Sequence, residues 1–378
     1  MKVTNMIGAG IILVISITIG QSKYLEDVES TLIIFQLWKS EYGKQYQSVE
    51  EEEGKFQIFR DNLKWINQLN DEYSGFTEYA VNKFADMSKE EFMAKILMVS
   101  RPYPKHNKDR ILQMDRIDDI PETFDWTTQG KVTSVKDQGS AGSCWAFSTI
   151  GNIEGQWAMM GKKLTNFSVE QIVDCDGTED IVHEHADCGI YGGWPYLAYQ
   201  YVMKAGGLES WDDYPYCCGL GGGPGTCFTC PAPSYNKTLC GPPIPWCNMT
   251  QSCVFKVDKS KFVPGLKVID WKLVEQNESA IAEVLIKYGP LSVALDARLL
   301  QFYHRGVFKS RLCSKASLDH AVLLVGYGTD KSLFETTPYW KVKNSWGAKW
   351  GESGYFRIER GTGMCGINTQ VTTAFLQE

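Results

Sequence analysis

Basic runs, long apolar runs and histidine are all scarce in this chain of 378 residues, and each scarcity excludes something. Lys and Arg number 38 against 45 Asp and Glu, a formal net charge of -7, and no cluster of cations could neutralise a phosphate backbone or coat an anionic membrane. Nucleic acid is thereby excluded as an expected partner. A long apolar stretch occurs only near the N-terminus, from Ile7 to Ile19 behind Met1 and Lys2, with polarity returning at Gly20 and Gln21. This layout predicts a signal peptide over 1–20, too short to span a bilayer comfortably, and no membrane span in the mature protein. No internal repeat is visible. Only five histidines are available for any chemistry that needs imidazole.

What is present describes a globular, secreted chain. The composition, 43% hydrophobic and 22% charged, can bury one core or two. Twelve cysteines, dense after Cys175, suit an oxidising compartment. Asn-x-Ser/Thr sequons begin at Asn166, Asn236, Asn248 and Asn277. Asn236, Asn248 and Asn277 are the expected glycosylation sites, because Asn166 lies against a predicted helix start. From Tyr24 to Met98 the chain is charged and reads as helical, with Glu51, Lys55, Phe59, Asn62, Ile66 and Asn70 on one helix face. An extended linker is expected over 99–119, and composition then shifts, which places the mature start close to Ile120.

After that point helices give way to strands, predicting an α+β fold. Helical spacing from Cys144 through Trp157 stops at Gly161, so Cys144 stands at a helix N-terminus, and a short helix is predicted from Ser168 to Val173, with Gln171 in capping-box position. Strands are expected at Leu291–Leu295, Ala321–Gly326, Tyr339–Val342 and Tyr355–Ile358. The block 217–253 holds seven of the cysteines and is too poor in aliphatic residues to form a core, so disulfides must hold it. Its Cys227-x-x-Cys230 lacks the second matched pair of a zinc ribbon, and no metal or cofactor is expected.

A helix-terminal thiol meets unpaired N–H groups and the positive end of the helix dipole, which favour the thiolate. The surrounding segment Gln138-Gly-Ser-Ala-Gly-Ser-Cys144-Trp-Ala-Phe-Ser148 resembles the active-site segment of papain-like cysteine proteases, the cathepsin-type enzymes among them. Leu318-Asp-His320-Ala-Val322 resembles that family's histidine segment, and Asn344-Ser-Trp346-Gly347 its asparagine segment. The resemblance implies a two-domain fold, a helical left domain and a β-barrel-like right domain with the cleft between them. It implies Cys144 as nucleophile, His320 as base and Asn344 as the group orienting the imidazole. Trp346 would shield that hydrogen bond, while Gln138 and the Cys144 N–H would serve the oxyanion. Cys144 and His320 are expected to titrate as an ion pair and to cleave peptides through an acyl-enzyme.

The resemblance extends to 21–119, whose Ala80-Val-Asn-Lys-Phe-Ala-Asp86 is similar to a motif of the family's inhibitory propeptide. The chain is therefore expected to be an inactive precursor inhibited by its own propeptide, a monomer acting on proteins and peptides. Its setting would be the secretory pathway, in a lysosome or vacuole or outside the cell. Gly192 and Gly193 would bind substrate backbone, and Trp194, Pro195, Ala294 and Gln370 would line the pocket for the second residue before the scissile bond. Cys313 and Cys365 resemble the family's C-terminal bridge. The family's usual cysteine at position 141 is Ala141 here, so its partner Cys188 is free or captured by Cys217 or Cys218, capture being preferred, while Cys175 is expected to pair into the block. The block lies where some relatives close one end of the cleft, which makes an exopeptidase the alternative; a catalytically weak binding protein on the same fold is a second.

Overall fold

The computed structural model describes residues 23–24, 27–99, 101–103, 108–117, 119–216, 232, 234–241, 257–331 and 336–377. The expected signal peptide and most of the cysteine-rich block lie outside these residues. Among them, no helix is long and apolar enough to cross a membrane.

The N-terminal segment builds a unit of its own. Asp27 and Ser48 cap helices α1 (Val28–Tyr42) and α2 (Val49–Glu72), each side chain accepting a backbone N–H three residues on. Phe35 and Trp38 of α1 meet Phe59 of α2 with ring centroids 5.2 Å apart in both pairs. The asparagines that an apolar stripe left unexplained hold backbone. Asn62 Nδ2 donates to the carbonyls of Ala85 and Met87, both at 2.9 Å, and Asn70 exchanges two bonds with the backbone of Tyr79. Lys55 pairs with Glu91 at 2.7 Å, and Glu91 also closes a capping box with Ser88 that starts α3 (Lys89–Lys95).

This segment is not wholly helical. Thr77–Tyr79 is a strand pairing antiparallel with Tyr303–Phe308, because Thr77 and Tyr79 bury on one face while Glu78 between them meets Arg305 at 2.6 Å. It forms the edge of a nine-stranded sheet. The sheet continues through Tyr303–Phe308, Tyr355–Glu359, Thr336–Lys343, His320–Lys331, Leu291–Leu295 and Val371–Leu376 to Val268–Leu273, with Phe124–Asp125 added beside His320–Lys331. All four predicted strands are present, and three run longer than expected.

The helical half packs on this sheet through α4 (Cys144–Met159) and α6 (Pro195–Ala205), with α5 (Val169–Cys175) against both helices. Every residue of α4 from Cys144 to Ala158 is buried, which is why its sequence has no polar face. A Cβ on Gly151 would stand 3.0 Å from Leu323, and one on Gly155 would stand 2.9 Å from Pro290, so both glycines serve the close approach. Ser168 caps α5 as predicted, but Gln171 does not complete a capping box. Its Oε1 accepts the Glu209 N–H at 2.9 Å instead, tying α5 to the chain beyond α6.

Candidate active site

Cys144 is the first residue of α4, and the loop before it is braced from three sides. Gly142 donates its N–H to the Ile190 carbonyl at 2.8 Å, and a Cβ there would stand 2.9 Å from the same oxygen. The Tyr216 hydroxyl donates to the Gln138 carbonyl at 2.8 Å and meets Ser143 Oγ at 2.7 Å. Trp145 Nε1 donates to the Gly189 carbonyl at 3.0 Å. These bonds hold the loop in which Ala141 stands.

His320 opens its strand opposite Leu295, and Nε2 donates to Asn344 Oδ1 at 2.8 Å. That bond fixes the tautomer and leaves Nδ1 as the ring's lone pair, with no hydrogen-bond partner among the described residues. Trp346 lies against the imidazole, ring centroids 4.7 Å apart and planes 29° apart. Gln138 is held by Ser345, whose carbonyl accepts its N–H at 2.8 Å and whose hydroxyl donates to its Oε1 at 2.7 Å. Its Nε2 is left to face outward, donating to the carbonyls of Ala141 at 2.7 Å and Ile96 at 2.8 Å.

Ile96 belongs to the N-terminal segment, which fills the groove. Met98 N–H donates to the Asp319 carbonyl at 2.8 Å, the Met98 side chain lies against Gly192, and Arg101–Pro102 pairs antiparallel with Ser317–Leu318. On the other side of Ile96, Phe84 and Phe92 pack edge-on to Trp346 at 5.6 and 5.3 Å. Lys83 pairs with Asp137 at 2.6 Å. Cys144 and His320 are both fully buried beneath this cover.

Burial decides their protonation. It pushes the Cys144 thiol up to about 12, with the N–H groups of Ala321 and Trp145 opposing, and pushes His320 down to about 4, with the Asn344 bond opposing. Both shifts disfavour the charged forms beneath this cover, because neither charge has water there.

Gly192 and Gly193 precede Trp194, which caps α6, and Pro195 is its first residue. Ala294 pairs with Ala321 in the strand beside His320, and its N–H donates to the Gln370 carbonyl at 3.2 Å. The Cys313–Cys365 bridge is present. Cys188 is captured by the block, but by Cys240 and not by Cys217 or Cys218, because the short helix Lys237–Cys240 docks beside it. The expected pairing of Cys175 into the block lies outside the described residues. Asn236 and Asn277 each cap a helix, Asn166 is exposed and accepts a bond from Lys136, and Asn248 lies outside the described residues.

Several residues that support the site escaped the sequence reading. Ser345 stood within a quoted motif, but its bonds to Gln138 span 207 positions. Tyr216 gave no signal at all. Glu154, one face of α4 below Cys144, accepts from Thr133 Oγ1 at 2.6 Å, and Lys343, the neighbour of Asn344, donates to that same hydroxyl at 3.0 Å. Lys343 is fully buried and pushed down to about 8, while Glu154 is pushed up, both by desolvation.

Comparison with known proteins agrees with this architecture. Residues 120–375 match the family model described as "Papain family cysteine protease", and residues 35–92 match "Cathepsin propeptide inhibitor domain (I29)". Cysteine proteinase 1 of Dictyostelium discoideum is 36% identical over 355 residues, which cover 90% of this chain and 91% of that protein. A viral cathepsin of Antheraea pernyi nuclear polyhedrosis virus is 35% identical, with 90% of each chain covered. Among solved structures, digestive procathepsin L 3 of the Tenebrio molitor larval midgut superposes with a TM-score of 0.72 at 30% identity, covering 92% of this chain and 99% of that one. A recombinant stem bromelain precursor gives 0.67 at 29% identity, covering 92% and 99%. The chain belongs to the papain family of cysteine proteases, as a proenzyme that carries a cathepsin-type propeptide.

Proposed function

We propose that Cys144 is the nucleophile of an endopeptidase, with His320 as its base, Asn344 as orienting group and Gln138 with the Cys144 N–H as oxyanion donors. The observation that carries this reading is the 2.8 Å bond from Gln138 Nε2 to the Ile96 carbonyl. A peptide carbonyl of the chain's own propeptide rests on the donor that a scissile carbonyl would use, directly above the thiol's helix. Once the propeptide leaves, water returns to the cleft. The thiolate and imidazolium then become accessible, Cys144 attacks, and His320 passes the proton to the leaving amine and takes one from the hydrolytic water.

Gly192 and Gly193 would bind substrate backbone, and the seat of Met98 against Gly192 supports an apolar pocket formed with Trp194, Pro195, Ala294 and Gln370. The described part of the cysteine-rich block, 234–241, attaches at Gly177, Glu179 and Cys188, at the Gly192 end of the groove. One observation favours an endopeptidase. At the Trp346 end a cavity of about 390 Å³ bordered by Asp137, Ser140 and Lys349 leaves room for the segment beyond the scissile bond. Cleavage near Ile120 would release a mature enzyme over 120–378, made through the secretory pathway behind a signal peptide and acting in a lysosome-like compartment or outside the cell.

The test is Cys144→Ser in the precursor, assayed for self-processing at acid pH and for hydrolysis of internally quenched peptides. Both activities should vanish while the fold is retained. Processing at the normal rate would remove Cys144 as the nucleophile.

A further inference from the structure

We propose that Asp176 and Asp187 are positioning residues which hold the strand Gly192–Trp194 in its substrate-binding place by sharing one proton. This rests on the assignment of Gly192 and Gly193 to the substrate backbone.

Asp176 ends α5, and Asp187 lies eleven residues on, at the return of a hairpin in which Glu179–Asp180 pairs with His185–Ala186. Their side chains are 1% and 0% exposed. Asp176 Oδ1 accepts the Thr178 N–H at 2.8 Å, and Asp187 Oδ1 accepts the Trp194 N–H at 2.6 Å. The two Oδ2 atoms, also buried, have no hydrogen-bond partner among the described residues, and Asp187 N–H donates to the Thr178 carbonyl at 2.9 Å, so the residue bonded to Asp176 Oδ1 also holds Asp187 beside it. Two carboxylates cannot both stay charged in such a place without a cation. One O–H···O⁻ bond between them satisfies both atoms.

Among the described residues, the neighbours supply no ammonium or guanidinium. From the hairpin come Asp180, paired with His183 at 2.7 Å, and His185, which stacks on Trp194 at 4.4 Å. From α6 comes the Tyr196 hydroxyl, 3.2 Å from Asp180 and 3.3 Å from His185 Nδ1. From the insertion come Cys240, bridged to Cys188, and Asn236, bonded to Glu179. Burial raises Asp176 to about 6 and raises Asp187 well above the ordinary aspartate value, the Asp176 charge adding to it. Such a pair loses its protons in two steps, and the shared proton leaves at the upper one. Because the folded pair holds its protons more tightly than the unfolded chain, its stabilisation is complete below the ordinary aspartate range and is lost as pH rises through both steps.

Loss of that proton would reach the substrate strand directly. A Cβ on Gly193 would stand 2.5 Å from Asp187 Oδ1 and 2.6 Å from Trp145, so the strand is pressed against the carboxyl. Asp187 cannot draw in water without displacing it. Cys188 N–H, next in sequence, donates to the Gly192 carbonyl at 2.8 Å and carries the same movement to the strand's other end.

The experiment measures KM and kcat for a blocked dipeptide on the matured enzyme from about pH 5 to about pH 8, with thermal melting of the Cys144→Ser precursor over the same range. KM of the unaltered enzyme should rise about tenfold for each pH unit above the step at which the shared proton leaves, as the fraction still protonated falls. Asp187→Asn keeps an acceptor for Trp194 and donates to Asp176 without a titrating proton, so its KM should lose that rise and its melting temperature the matching fall. Asp187→Ala should show a raised KM at both ends. If Asp187→Asn melts with the unaltered pH dependence, the shared proton is refuted. If its melting becomes flat while KM keeps its rise, the pair stands apart from the substrate strand and the positioning role is refuted.

Discussion

Asn82→Ala should open the precursor without touching the candidate catalytic residues. Asn82 is buried in the propeptide, with Nδ2 donating to the Gln301 carbonyl of the enzyme domain at 2.7 Å and Oδ1 accepting the Phe84 N–H at 3.0 Å. Gln301 answers from the other side, Nε2 donating to the carbonyls of Met87 at 3.0 Å and Phe84 at 3.3 Å. Alanine leaves the Phe84 N–H without its partner and the Gln301 carbonyl with only the longer bond from Trp350 Nε1 at 3.4 Å. Each lost buried bond costs about 1–3 kcal/mol. The Gln301 share acts on the closed-to-open equilibrium, because opening lets that carbonyl reach water. About 1.5–3 kcal/mol on this equilibrium is a roughly 10- to 100-fold larger open fraction.

Alkylation of Cys144 by iodoacetamide, followed by mass at neutral pH, reads that fraction. In the closed state the thiol is fully buried and its pKa is pushed up to about 12, so reaction must pass through the open state. Gln301→Ala, made on the enzyme side, removes the two Nε2 bonds and keeps the one to its backbone carbonyl. It should accelerate alkylation by about tenfold with the propeptide's own packing intact. If both variants alkylate within about twofold of the unaltered precursor, the clasp between Asn82 and Gln301 does not hold the cover closed.

Gln138→Ala should lower kcat of the matured enzyme by about 10²- to 10³-fold with little change in KM, the signature of a lost oxyanion donor in steady-state kinetics. Lys343→Met leaves Glu154 buried beside Thr133 and should cost about 3–5 kcal/mol in denaturant unfolding, with Glu154→Gln in the same chain restoring most of it. Cys240→Ala opens a bridge between residues 52 apart in sequence, worth about 4 kcal/mol by chain entropy, and should lower the melting temperature while Cys313→Ala acts independently.

The fold class was legible, and the three side chains proposed as nucleophile, base and orienting group each have a local signature. A cysteine before a helical run, a histidine entering an apolar strand and an asparagine ahead of Ser345-Trp346 announce themselves within a few residues. Asn62 and Asn70 were legible as anomalies on a helix face, though their purpose was not, since Ala85, Met87 and Tyr79 reach them only after the chain turns back. The strand Thr77–Tyr79 was missed because three residues between helices carry too little periodicity, and only the free edge at Tyr303–Phe308 makes them extended. Protonation was the least legible property. The motif predicts an ion pair, whereas burial beneath the propeptide disfavours both charges, because desolvation depends on a segment far from the motif in sequence.

Ala141 shows how a missing covalent brace is made good by non-local contacts. The bridge that the resemblance implies would tie the loop before Cys144 to Cys188, and here the loop is held by Tyr216 and Cys188 by Cys240. Tyr216, the last residue before the block, clasps the Gln138 carbonyl and Ser143 Oγ from one hydroxyl. Cys240, within the block, takes Cys188. Tyr216 thus bears on the candidate oxyanion donor through the Gln138 carbonyl, while the Cys240 bridge bears on Gly192 through the Cys188 N–H, which donates to the Gly192 carbonyl at 2.8 Å.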